Sequence, residues 1–544
     1  DQFTLAKKPW AYRVTPFERI VKHQYEGKGT KEDPYQVTWI EDDPENPLEM
    51  ATMMKWILCF YASFSTLCIS FTSSAYSGAI DSIKQELGGS EIVITLGISL
   101  YVLGFALGPL FWSPISEVYG RRFCLLISFV FSTLWNAVAI ASPNIAALVV
   151  FRFLAGAFGS SPLTNAGGSI ADVFRAKERG LAITLYASCP FLGPAIGPIA
   201  GGFLGEDAGW KWLMGLFAIF AGIVTVMGVF MNPETYAPVL LRKRATLLTK
   251  VTGKLYLSKP DIGKDVSLSH LFKVALVRPW LLLVYEPIVL LLSLYQAVVY
   301  AILYSFFSAF PIVFEQVRGW SPGIGGLAFL GIMIGFMFGI ILQLVWVNPT
   351  YSKKVDEHGG IMAPPEERMP QAMVGAVALV FGLAVFAATD FPSIHWIVPI
   401  IFSAPAGFGM VLIFISLQSY LIDAYLLYAA AVLAASCTVR SVLGAAFPIL
   451  APYMYNPGGP HGKCPTESCG IHVGPGIAAF LALIFVPAPW YFYKYGPKIR
   501  KRCRYAAEAD KILQSMLNPG SKDAQEVKEA VQEMESDPSD DIEK

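Results

Sequence analysis

Two arginines stand in apolar runs where a lone charge is costly: Arg152 in LVVFRFLAG (148–156) and Arg440 in AASCTVRSVLG (434–444). On membrane-insertion scales such a cation costs at least about 3 kcal/mol, so each must face the interior of a helix bundle. Two roles stand open for Arg152. It bonds carbonyls of neighbouring helices, or it tunes a proton-carrying group or contacts a substrate. Arg440 is divided between the same structural and functional roles. Proton-driven work also needs a carboxylate that titrates during the cycle. The candidates are Asp172, Glu117, Glu286 and Asp423, all near the ends of apolar stretches, with Asp172 favoured. The first apolar stretch, ILCFYASFSTLCISFTSSAYSGA (57–79), holds no acid.

A second set of residues suits binding. Tyr300, Tyr304 and Phe307 repeat at i, i+4 and i+7 in YQAVVYAILYSFFSAF (295–310) and form an aromatic stripe. With Gln296 they make a face that either lines a cavity or packs as ordinary core or against lipid. Asn165 in SSPLTNAGG (160–168) is a rare amide, for a cavity or for a helix–helix hydrogen bond. Tyr76, Phe408, Phe414 and Gln418 are weaker candidates. In GPAIGPIAGG (193–202), Gly193, Gly197 and Gly201 recur every four residues and line one helix face where a second backbone can approach. Pro194 and Pro198 can kink that helix, because neighbouring helices re-satisfy the freed carbonyls. The stretch is built for rocking against a partner, or for close packing without motion. No GxxxxGK[ST] loop, CxxC…CxxC zinc pattern or HExxH occurs, so ATP-driven pumping and metalloprotease chemistry have no warrant, and the expected class is a transporter rather than an enzyme.

The elements that must hold these residues follow from composition. The 544 residues are 54% hydrophobic and only 15% charged, with mean hydropathy +0.50, whereas soluble domains carry nearer a quarter charged. Twelve windows read as membrane helices: 57–79, 92–115, 123–142, 146–171, 181–204, 212–231, 288–313, 323–346, 371–389, 395–417, 423–452 and 474–494. Asp423 then opens the eleventh, where a carboxylate suits the helix dipole. The connection 232–279 splits the spans six and six and carries nine Lys/Arg against three acids. The resulting division is a tail (1–55), a six-helix bundle (56–231), a basic loop (232–279), a second bundle (280–496) and a final tail (497–544). Basic residues gather in alternate loops (Arg121, Arg122; Arg175, Lys177, Arg179; 242–278; Lys353, Lys354, Arg368; KIRKRCR, 498–504), which predicts that both termini are cytoplasmic. SLSHLFKVALV (267–277) reads as an amphipathic helix on the inner surface. Cys464 and Cys469 either form a short disulfide in an outward loop or stay as thiols. The acidic end of the chain, MESDPSDDIEK, suits disorder. The chain opens on Asp1 rather than Met, so residues of the natural start are expected to precede it, and its first fifty residues do not resemble a cleavable signal. The formal net charge of zero gives no pull toward nucleic acid.

GPAIGPIAGG resembles the GxxxGPxxGG span-five motif of major facilitator superfamily drug:proton antiporters at Gly193, Gly197, Pro198, Gly201 and Gly202. GPLFWSPISEVYGRR (108–122) is similar to the family's G-x-x-x-D-R-x-G-R-R motif, with Glu117 for the Asp and Val118 for the first Arg, keeping Gly120, Arg121 and Arg122. FRFLAGAFG (151–159) resembles its span-four R-x-x-x-G motif at Arg152 and Gly156. DDPENP (42–47), PETYAPVLLRKRA (233–245), EPIVLLLSLY (286–295), FPIVFEQVRGWSPGIGGLAFLGI (310–332) and YLIDAYLLYAAAVLAASCTVRSVLGAAFP (420–448) look like the fungal twelve-span DHA1 branch. Two departures stand out. The loop PGGPHGKCPTESCG (457–470) is longer than usual, and FGLAVFAATDFP (381–392) lacks an expected tryptophan.

The resemblance implies an all-α major facilitator fold of two six-helix pseudo-repeats. It implies an efflux transporter for amphiphilic drugs, fungicides or secondary metabolites, driven by the proton gradient with no other cofactor. Its partners are the substrate, protons and the bilayer, and it acts as a monomer in the plasma membrane. Polyamine or organic-acid export on the same fold, or a non-transporting sensor, are the alternatives. The resemblance further implies that Glu117, Arg121, Arg122, Asp172 and Asp423 latch the two halves, and that the site between the repeats opens to each side in turn.

Overall fold

The computed structural model describes residues 15–262, 267–357, 363–425, 428–455 and 470–508. Lys264, Lys463, the pair Cys464 and Cys469 and the acidic tail lie outside the described residues. Among the described residues, thirteen helices are long and apolar enough to cross a membrane. Twelve are the spans: Thr52–Leu87, Glu91–Tyr119, Arg121–Ile140, Ile145–Val173, Glu178–Asp207 and Trp210–Met231 in the first half, then Pro287–Gln316, Pro322–Glu357, Pro365–Thr389, Ile397–Ala424, Ala429–Tyr455 and Val473–Arg500 in the second. The thirteenth, Leu268–Tyr285, contains the segment read as an amphipathic surface helix, and it continues eight residues beyond it. It is mostly exposed and leans on spans two and eleven, with Phe272 against Phe111 at 6.1 Å.

Spans one and five, two and four, three and six pair in the first half; seven and eleven, eight and ten, nine and ten pair in the second. The halves meet through span two on span eleven and span five on span eight. One boundary is corrected. Asp423 ends the tenth span, at Ala424, instead of opening the eleventh, which begins at Ala429. No Gly or Pro marks the turn in LIDAYLLYAAAV, so the apolar pattern runs through it unbroken.

Span five explains its own glycines. Helix runs from Ala176 to Asp207 through Pro190, Pro194 and Pro198. A Cβ on Gly193 would come 2.6 Å from the Ser70 Cβ; on Gly197 it would strike the Ser74 hydroxyl, and on Gly201 the Ala75 carbonyl. One face is therefore reserved for the backbone of span one. Gly202 lies on another face, where a Cβ would come 2.5 Å from the Pro322 carbonyl at the head of span eight; Gly326 meets the Pro198 carbonyl in the same way. The motif thus packs in two directions, within its half and across to the other.

From Thr15 on, the segment expected to be a tail is folded. Helix Phe17–Lys22 and strand β1 (Tyr35–Val37) join helix Ala237–Thr252 and strand β2 (Tyr256–Ser258) of the central connection, with β1 and β2 parallel. Ile20, Val37, Ile40, Leu241, Ala245 and Leu248 make a separate small core. Beside it Arg244 donates to Asp43 at 2.6 and 3.2 Å and to Glu45 at 2.7 Å, and Thr15 donates to Asp43 at 2.5 Å. Burial alone would raise the Asp43 carboxyl; the Arg244 and Thr15 hydrogen bonds outweigh it and hold Asp43 below the usual carboxylate range.

Candidate transport pathway and its charge clusters

Arg152 is fully buried in the first half. Its guanidinium lies over Tyr101 (4.2 Å), Tyr76 (4.9 Å) and Phe217 (5.3 Å) and donates to the Gly97 and Thr72 carbonyls at 3.2 and 2.9 Å. These partners come from spans one, two and six. Among the described residues no carboxylate pairs with it. These contacts suit the structural role, bonding carbonyls of neighbouring helices. Rings and carbonyls compensate much of the buried charge, and the Arg152 Nη1 has no hydrogen-bond partner.

The midplane between the halves is aromatic. The Tyr304 hydroxyl of span seven is 2.8 Å from the Ser73 hydroxyl of span one and accepts from Tyr300 at 3.4 Å. Arg440 of span eleven sits 5.0 Å from the Phe414 ring centre and 5.5 Å from that of Tyr300. Phe414 meets Phe191 of span five edge to face at 4.9 Å. Arg440 donates to the Cys437 sulfur at 3.5 Å, its Nε has no hydrogen-bond partner, and no carboxylate among the described residues pairs with it. Gln296 is tied up within the second half, donating to the Phe414 carbonyl (3.3 Å) and accepting from Ser436 (2.5 Å). Phe307 packs on Tyr304 and Phe329. The stripe of span seven is therefore buried, with Tyr304 reaching the other half at Ser73, and it brings together Tyr300, Tyr304, Arg440 and Phe414. Phe191 and Ser73 complete the site. They went unremarked in the sequence because Phe and Ser are ordinary in apolar helices.

The charge clusters lie at the end that carries the central connection, and they repeat. Arg121 opens span three and pairs at 3.6 Å with Asp172, which ends span four. Arg368, at the foot of span nine, pairs at 3.0 Å with Asp423, which ends span ten. A tyrosine covers each guanidinium: Tyr236 at 4.8 Å in the first half, Tyr351 at 3.3 Å in the second. Thr235 donates to Asp172 (3.3 Å), and Tyr351 donates to Asp423 (3.0 Å). Burial, with Glu117 nearby, pushes the Tyr236 hydroxyl up to about 12, so it stays neutral. Glu234 was read only as a loop acid. Its carboxylate accepts from the backbone of Arg121 (2.9 Å) and Arg122 (3.3 Å) and so caps span three. Arg122 turns away to the Val229 carbonyl at 3.1 Å. Asn165 accepts from Arg121 (3.2 Å) and donates to Ser161 (3.0 Å), so it belongs to this network, the helix–helix hydrogen bond of its two readings. Glu286 is buried at the foot of span seven, accepting from Tyr425 (2.7 Å) and the Tyr505 backbone (2.9 Å).

Each cluster lies within one half. Contacts between halves are made elsewhere: at this end by Asn348 donating to Thr184 at 2.9 Å, and at the far end by Gly323 donating to Glu206 at 2.9 Å. Spans five and eight thus touch at both ends, and the aromatic site between them is enclosed.

A family model described as Major Facilitator Superfamily matches residues 62–448. The chain is 53% identical over 509 residues to the "MFS-type efflux pump MFS2" of Trichophyton rubrum, covering 93% of this chain and 83% of that protein. It is 49% identical to the "Major facilitator superfamily multidrug transporter mdrA" of Aspergillus fumigatus, covering 96% and 85%. The solved E. coli proton:xylose symporter XylE shares its fold, with TM-score 0.57 at 14% identity over 82% of this chain and 97% of that one. Twelve spans in two pseudo-equivalent halves, twin Arg–Asp pairs, the two-faced glycine helix and these matches lead to one assignment: the chain is an integral membrane protein that belongs to the major facilitator superfamily.

Proposed function

We propose that this protein exports amphiphilic, ring-bearing small molecules across the plasma membrane in exchange for protons, with the basic end and both termini in the cytoplasm. One observation carries the reading: a buried site between the halves, walled by Tyr300, Tyr304, Phe414 and Phe191, holds one cation, Arg440, that no carboxylate neutralises among the described residues. Such a wall suits flat apolar cargo through ring stacking and cation–π contact. The names of the fungal efflux and multidrug relatives support outward transport. The alternating basic loops support the sidedness. Asp172 is the proposed proton carrier. It is linked only loosely, at 3.6 Å to Arg121 and 3.3 Å to Thr235, at the end that carries the central connection.

Cells making the protein are expected to retain less of a fluorescent amphiphile than cells without it, and an uncoupler erases the difference. Retention that ignores the uncoupler sinks proton exchange. Asp172→Asn is expected to remove gradient-driven export while passive exchange of bound substrate continues. Arg440, with no carboxylate partner among the described residues, also favours a second cargo class, organic acids. Arg440→Gln is expected to weaken anionic competitors more than neutral ones in vesicles.

A further inference from the structure

A hollow of about 600 Å³ opens at the foot of spans seven and twelve, away from the transport path. Its walls include Tyr285, Pro287, Tyr491, Tyr495, Lys498 and Arg502. Tyr491 and Tyr495 stack along one face of span twelve with ring centres 5.2 Å apart, and Tyr285 stands 66% exposed. Tyrosines so placed mark the level where headgroups meet hydrocarbon. Lys498 and Arg502 reach the same hollow. Among the described residues neither side chain makes a hydrogen bond or ion pair. Glu286, buried at the foot of span seven, accepts instead from Tyr425 and the Tyr505 backbone. Cys503 in the wall is neutral, its thiol pushed up to about 12 by burial, with Glu286 adding to the effect. One turn above Pro287, Leu290 and Leu291 are each 44% exposed and offer an apolar track leading away from the hollow.

Two unneutralised cations, an interfacial ring wall and an apolar track are the parts that a lipid with a negative head requires. We propose that this hollow binds the phosphate-bearing headgroup of an anionic phospholipid, with Lys498 and Arg502 as its cationic ligands and the acyl chains along span seven. The site grips the first turn of span seven, the helix that carries Tyr300 and Tyr304 to the midplane.

The test uses the full chain in nanodiscs of phosphatidylcholine alone or with a minority of phosphatidylserine. Thermal unfolding and native mass spectrometry of retained lipid are the readouts, so the result does not depend on transport. Phosphatidylserine is expected to raise the unfolding temperature and to remain bound after detergent exchange. The double variant Lys498→Gln, Arg502→Gln is expected to lose roughly tenfold or more in phosphatidylserine affinity. Lys501→Gln, an exposed neighbour outside the hollow, is expected to keep it. Equal loss in Lys501→Gln overturns a specific seat in favour of diffuse surface charge. Inorganic phosphate that reproduces the shift in phosphatidylcholine overturns the lipid and leaves a soluble-anion site. A response that appears only after removal of residues 509–544 overturns it as well, because the acidic tail would then be the occupant.

Discussion

Arg152 and Arg440 are both buried arginines, yet their surroundings assign them different work. Arg152 fills a box of three rings and two carbonyls drawn from spans one, two and six. Removing it leaves a void and two unsatisfied acceptors in a low-dielectric interior. Arg152→Ala is therefore expected to cost about 3 kcal/mol or more in stability and to lower membrane abundance, measured by fluorescence-detected size exclusion. Undiminished abundance with lost export would return Arg152 to a direct role in the cycle. Asp390 just beyond span nine gives a residue-scale pH effect. It is buried, neither carboxylate oxygen has a hydrogen-bond partner, and burial pushes its carboxyl up to about 7 against the pull of Arg318. A carboxyl raised in the fold favours the folded state while protonated and loses that contribution as pH climbs through its folded value. The unfolding temperature is expected to fall as pH rises from the ordinary carboxylate range to about 7 and to level off above it in the parent, and Asp390→Asn is expected to flatten that fall. A parallel fall in the variant would clear Asp390 of the effect.

At the scale of elements, span five carries the sharpest contrast. Gly197 faces span one of its own half, while Gly202 faces the head of span eight. Gly197→Leu is expected to disrupt the first bundle and reduce abundance severalfold. Gly202→Leu leaves that packing alone and opposes closure at the far end. It is expected to keep abundance but raise cysteine labelling of positions near Pro322. The spans and this helix were legible because apolar length and a strict four-residue glycine repeat are local signals. The end of span ten was not, since Asp423 sits in an apolar run whose turn carries no breaker. Asn165 shows another limit. An amide inside a span announces that it must bond something, but Arg121 as its partner depends on how spans three and four cross. Glu234 was hidden the same way, as a loop acid whose work is to cap a helix more than a hundred residues earlier.

At the scale of the molecule, the twin Arg–Asp pairs make each half a copy of one plan, and the small module outside the bilayer joins the first strand to the central connection. The sequence did not disclose that module: Ile20, Val37 and Ile40 are too sparse to read as core until Leu241 and Leu248 arrive from the far side of six spans. Arg244→Met is expected to strand Asp43 without its partner and destabilise the module by about 3 kcal/mol, read as faster proteolysis of the N-terminal segment with the spans intact. Asp43 is held below the usual range, so its contribution is present above the ordinary carboxylate pKa and is lost as pH falls below it. Proteolysis of the parent is expected to quicken on acidification and that of Arg244→Met to change less.

The parallel pairing of β1 with β2 also sets a calendar for biosynthesis. Strand Tyr35–Val37 leaves the ribosome early but has nothing to zip onto until Tyr256–Ser258 emerges, after the first bundle has been threaded into the membrane. For that interval the nascent N-terminal arm waits unpaired, open to chaperones and proteases. Its eventual docking then records that the first six passes were completed.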